Sequence, residues 1–123
     1  KLPSYKGYIE LSRDTLKASA ITVKDTTTYH VPKEGKLILK QIIDTCKKKN
    51  IALIFCYSPE FQGADQLKRK TVFDYITKVA TVNNIPFFDY RNHPICSDSA
   101  LFLNVRHLNV QGSEVFSNET LKK

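Results

Sequence analysis

Between Lys33 and Lys49 the apolar residues Leu39, Ile42, Ile43 and Cys46 recur at spacings of 3, 4 and 7, the stripe of an amphipathic helix. Asn50, just past a lysine cluster, suits a left-handed helix end. Ile51-Ala52-Leu53-Ile54-Phe55-Cys56-Tyr57 is an unbroken apolar run cut by Ser58-Pro59. Such a run predicts a strand buried on both faces, as in a parallel sheet covered by helices. A second stripe follows the Glu60–Gly63 loop, made of Leu67, Phe73, Ile76, Val79 and Ala80, and Asn83-Asn84 stops it. Ile85-Pro86-Phe87-Phe88 is the next short strand, its proline near the start where the ladder can spare a donor. Helix, strand, helix, strand in this order predicts a βαβ unit with a right-handed crossover.

From Asp89 to Asn109 there is no clear periodicity beyond a short turn near residues 97–103. A last helix is expected from about Val110 to Leu121, capped by Asn109, with Val115, Phe116 and Leu121 facing inward. Before Pro32 the pattern is extended and irregular, with short candidate strands at Tyr8–Leu11 and Ala20–Val23 and a threonine run, Thr26-Thr27-Thr28. The organisation read from this is an extended connector or insertion over residues 1–32 and one α/β domain over 33–123. Its expected form is a three-layer fold, a partly parallel sheet flanked by helices. Two solid strands fall short of the usual ~4–6, so the sheet is expected to be incomplete on its N-terminal side.

Composition narrows the class. The chain has 123 residues, one domain's worth, and no run of about 18 apolar residues that would span a membrane. Charged residues at 25%, with 5 prolines and 4 glycines, exclude a disordered or fibrous chain. Three cysteines are too few for a disulfide scaffold. There is no methionine, even at position 1, which leads us to expect a processed or trimmed piece. The net charge is +7, and residues 1–49 hold 11 Lys and Arg against 5 acids. Lys33, Lys36, Lys40 and Lys47-Lys48-Lys49 lie on the first predicted helix, where they read as a solvated face complementing the helix dipole. No arginine-rich stripe with interleaved aromatics accompanies them, so no nucleic-acid partner is expected.

Topology directs the search for chemistry to the carboxyl ends of parallel strands, where open sheets bind ligands. The loops Ser58–Gly63 and Asp89–Asn109 belong there, and the second contains His107. The segment Asn104-Val105-Arg106-His107-Leu108-Asn109-Val110-Gln111-Gly112-Ser113-Glu114-Val115-Phe116-Ser117 resembles the final block of the SGNH (GDSL-like) hydrolases. There an aspartate, two residues and a histidine lead into Leu-Asn-x-x-Gly and a helix. The order of elements over residues 33–121 is similar to that family's C-terminal half, and the fold it implies is SGNH/flavodoxin-like. The resemblance implies an O-acyl esterase acting on an acylated small molecule or glycan, carbohydrate or lipid, with no cofactor and no metal. It makes His107 the general base and assigns Asn104 to the aspartate's place. Asparagine can accept the ring N–H but brings no charge, and in serine proteases the same exchange costs about 10⁴ in kcat, largely through the wrong tautomer. Asp98 and Asp89 are the acids that could substitute.

The family's Gly-Asp-Ser nucleophile block does not occur in these residues. The chain alone is therefore expected to be inactive, the nucleophile lying in a missing upstream segment of the same domain. Family members are often exported in bacteria, which favours the cell envelope or a secreted location. The alternative is a non-catalytic α/β module for binding or envelope assembly that kept the fold and lost the chemistry. Ser58, ahead of Pro59, reads as a turn residue rather than a nucleophile. Cys46 and Cys56 read as small buried hydrophobes, Cys96 as a rim residue open to exposure, and their spacing matches no zinc pattern. His30 and His93 read as isolated; Tyr57, Phe61 and Tyr90 as half-buried packing at the rim. Asn118-Glu119-Thr120 matches the glycosylation triplet but falls in the last predicted helix.

Overall fold

The computed structural model describes residues 14–15, 28–62 and 67–120. They form a mixed α/β structure: α1 (Lys33–Lys48), β1 (Phe55–Tyr57), a 3₁₀ turn at Leu67–Arg69, α2 (Lys70–Asn83) and β2 (Phe87–Asp89). There follow 3₁₀ turns at Pro94–Ser97 and Ser99–Leu101, strands β3 (Phe102–Asn104) and β4 (His107–Leu108), and α3 (Val110–Thr120). The candidate strands at Tyr8–Leu11 and Ala20–Val23, and the inward Leu121, lie outside the described residues. No helix among those described is long and apolar enough to cross a membrane. The chain divides into two compact units: described residues 28–57 and 67–89 make one, residues 14–15, 58–62 and 90–120 the other.

The first unit holds the expected β–α–β sequence. β1 and β2 run parallel, with Phe55 opposite Phe87, Cys56 opposite Phe88 and Tyr57 opposite Asp89. Both helices end on the same device. Asn50 (φ 53°) and Asn84 (φ 54°) are left-handed. The N–H of the isoleucine after each asparagine donates back into the helix, Ile51 to the Cys46 carbonyl (2.8 Å) and Ile85 to the Ala80 carbonyl (2.9 Å). These bonds satisfy carbonyls that a helix end leaves open and turn the chain into the strand.

Burial here departs from the expectation for the apolar run. Ile43, Phe73 and Ala80 are buried, whereas Ile51 (54%), Ile54 (58%) and Phe88 (48%) stand exposed. Strand pairing begins only at Phe55, and from Leu53 to Tyr57 half-buried and exposed positions alternate. Tyr57 packs its ring on Phe73 of α2, 4.6 Å between centroids. Side chains of a strand point to alternate faces, so Ile54 and Cys56 are directed to the opposite one. Among the described residues, the strand is thus covered on one face rather than two. On α1 the same holds: Ile43 is buried, while Ile38 and Ile42 remain exposed. The lysines of α1 are solvent-facing, as expected, with Lys40 paired to Asp44 (2.6 Å).

The second unit is built around Ile95, Cys96, Leu101 and Phe102, against which Phe61, Val105, Leu108, Val115 and Phe116 pack. Here the absence of periodicity in Asp89–Asn109 concealed regular structure. Two 3₁₀ turns drive Ile95, Cys96 and Leu101 inward, and a β3–β4 hairpin follows. Each piece is too short for a period to register.

Candidate functional site

The hairpin carries the two residues singled out by sequence. Phe102 stands opposite Leu108, so an unbroken antiparallel ladder would set Asn104 opposite Arg106. The ladder is instead irregular between Phe102 and Asn104, and Asn104 stands opposite His107. An extra residue in one strand re-aims the side chains beyond it. The result is a short contact, with Asn104 Oδ1 3.0 Å from His107 Nδ1. The same oxygen accepts the backbone N–H of Arg106 at 3.0 Å, an asparagine turn that closes the two-residue loop. The loop is tied down by Phe61, whose N–H donates to the Val105 carbonyl at 2.9 Å. Both Asn104 and His107 are exposed.

The residues after His107 have architectural work. Asn109 is 1% exposed and opens α3. Its Oδ1 accepts the Gly112 N–H (2.9 Å), and its Nδ2 donates to the carbonyls of Ala100 (2.7 Å) and Asp14 (3.1 Å). Its backbone N–H reaches the Leu101 carbonyl at 3.0 Å. Gly112 is buried against that same carbonyl, and a β-carbon there would collide with the Leu101 oxygen and press on Leu108. The Leu-Asn-x-x-Gly spacing is thus explained locally. Asparagine caps the helix and its third residue, glycine, lets the first turn of α3 lie against the chain entering the hairpin.

The other sequence candidates are placed as follows. Asp98 Oδ1 accepts the Ala100 N–H at 3.0 Å, capping its own 3₁₀ turn, and it is Asn104 that meets His107. Asp89 is exposed at the end of β2, and Ser58 is exposed beside a fully buried Pro59. The cysteines reverse the expectation: Cys96 is 1% exposed and Cys56 is open. Cys56 falls on the uncovered side of β1, whereas the 3₁₀ turn carries Cys96 into the core, where burial pushes its thiol pKa up. Tyr57, Phe61 and Tyr90 are half-buried in ring contacts with Phe73, Phe102 and Phe116. The glycosylation triplet lies within α3.

His93, read as isolated, is well partnered. Its Nδ1 accepts the Ile95 N–H at 3.3 Å and its Nε2 lies 3.3 Å from Glu119 Oε2. Its ring meets those of Tyr90 and Phe116 edge-on. The proline after it was the available signal, since a residue before Pro at the start of a turn is placed to cap it. Among the described residues no three His, Cys, Asp or Glu side chains come together to hold a metal ion. In the unit carrying β1 and β2, a cavity of about 470 Å³ is lined mostly by apolar residues, among them Leu39, Phe55, Val72, Ile76 and Phe87. Comparison with protein-family models, curated proteins and solved structures gives no match.

Proposed function

We propose that this chain is the C-terminal, histidine-bearing part of an SGNH-like ester hydrolase domain, acting on an O-acylated carbohydrate or lipid. The observation that carries the reading is the 3.0 Å contact of Asn104 Oδ1 with His107 Nδ1 at the exposed tip of a hairpin that leads directly into α3. In this reading His107 Nε2 takes the proton of a serine hydroxyl as it attacks the ester carbonyl, and Asn104 orients the ring. The serine is supplied by a Gly-Asp-Ser block on polypeptide outside these residues. The parallel β1–α2–β2 unit supports the α/β part of the reading, a partly parallel sheet with further strands. The test uses the product of the whole reading frame that encodes these residues, with p-nitrophenyl acetate as substrate. Hydrolysis should fall by at least about 10³ with His107→Ala; equal rates for the two proteins would overturn the assignment.

Asn104 itself favours a second reading, a non-catalytic binding or envelope-assembly module that retains the fold. An uncharged residue at this position leaves a developing imidazolium without a counter-charge. Asn104→Asp separates the two: a hydrolase gains rate, whereas a binding module gains none.

A further inference from the structure

We infer that Asn104 is a positioning residue that holds neutral His107 as the Nδ1–H tautomer, with its own amide locked by the backbone of Arg106. An asparagine facing a histidine is ambiguous, because its side chain offers an acceptor on one side and a donor on the other. Here the backbone removes the ambiguity. The Arg106 N–H can only donate, and it lies 3.0 Å from the Asn104 side-chain atom that also faces the ring. Turning the amide over would set two donors against each other at that distance. The oxygen therefore faces both partners. An amide oxygen only accepts, so the ring nitrogen beside it, Nδ1, carries the proton. Nε2 is left with its lone pair on an exposed side chain, the form a general base requires.

His93 gives the opposite case within the same unit. Its Nδ1 receives the Ile95 N–H, so that nitrogen must carry the lone pair, and the proton sits on Nε2 facing Glu119 Oε2 at 3.3 Å. Two histidines of one chain are thereby assigned opposite tautomers. The catalytic meaning of the His107 tautomer rests on the hydrolase reading, but the tautomer does not. If that reading holds, the part of the Asp→Asn penalty that comes from the wrong tautomer is already avoided. Asn104→Asp should then raise kcat by clearly less than the about 10⁴ seen where asparagine misorients the ring.

The experiment is ¹⁵N-detected imidazole NMR on the product of the whole reading frame at about pH 8.5, about two units above the ordinary histidine value. His107 is expected to show a protonated Nδ1 and an unprotonated Nε2, with His93 reversed. One ordinary hydrogen bond should move the tautomer ratio at His107 about fivefold toward Nδ1–H, relative to a ring without that bond. Asn104→Ala should abolish that shift and Asn104→Asp restore it; Asn104 is exposed, so the fold tolerates the changes. A protonated Nε2 on His107 in the parent protein, or a tautomer unmoved by Asn104→Ala, would overturn the inference. Either result is independent of the esterase assay: the lock can stand without hydrolysis, and hydrolysis can occur without the lock.

Discussion

Every polar group of Asn109 has a partner inside the protein, and that makes it a sharper test of the fold than the exposed Asn104–His107 pair. Its side chain caps α3 through Gly112 and reaches two carbonyls besides. Asn109→Ala removes a helix cap, worth about 1 kcal/mol. It also deprives the part-buried carbonyls of Ala100 and Asp14 of a donor, which adds about 1–3 kcal/mol. We expect a loss of about 3 kcal/mol in urea denaturation. Gly112→Ala sets two effects against each other. Alanine gains about 1 kcal/mol over glycine inside a helix, but its methyl would strike the Leu101 carbonyl, part of the backbone that leads into β3. Backbone cannot swing aside as a side-chain tip does, so the clash should win by about 1–3 kcal/mol. A stabilised Gly112→Ala protein would mean that α3 does not lie against Leu101.

At the scale of elements, the helix ends were the most legible feature. Asparagine followed by isoleucine closes both α1 and α2, and the reason is local: of the ordinary residues, asparagine adopts the left-handed conformation at least cost. Asn50→Ala and Asn84→Ala should each destabilise by about 1 kcal/mol, while glycine at either position should be tolerated. A denaturation series over the four variants checks this, and alanine matching glycine would show that the left-handed geometry is not needed. Strand burial was less legible for a physical reason. Ile51–Tyr57 is apolar at every position, and such a run is equally compatible with one covered face or two, because the pattern holds no polar alternation to mark the open side. The hairpin was illegible for another. Its strands are three and two residues long, and the irregularity that brings Asn104 opposite His107 depends on register, which no residue type announces. The candidate pair itself was readable, because a two-residue interval joins them in the chain as well as in space.

For the molecule as a whole, the three cysteines report how burial is distributed, and they correct the simplest inference from hydrophobic pattern. Cys56 sits in the most apolar stretch of the chain and is exposed; Cys96 sits in its least periodic stretch and is buried. Apolar neighbours in sequence bury a residue only where another layer lies over them. The prediction follows at two levels. With a thiol-reactive disulfide reagent under native conditions, Cys56 should react first, Cys46 more slowly, and Cys96 only as the core around Phe102 opens. The same burial raises the Cys96 pKa in the folded protein, and linkage sets the sign of its effect on stability. Below the ordinary thiol value of about 8.5 both states hold the proton and Cys96 contributes no pH dependence. As pH rises through that value the unfolded chain releases its proton while the folded chain retains it, so the unfolded state gains and stability falls. The slope is at most about 1.4 kcal/mol per pH unit, and it ends once the folded value is passed. Tyrosines and lysines titrate in the same range, so the measurement is the difference between the parent protein and Cys96→Ala in denaturant midpoints from about pH 7 to pH 10. The parent should lose ground to the variant above about pH 8.5. Parallel curves, or a Cys96 that reacts as fast as Cys56, would place this thiol at the surface and dismantle the core to which β3 and β4 are anchored.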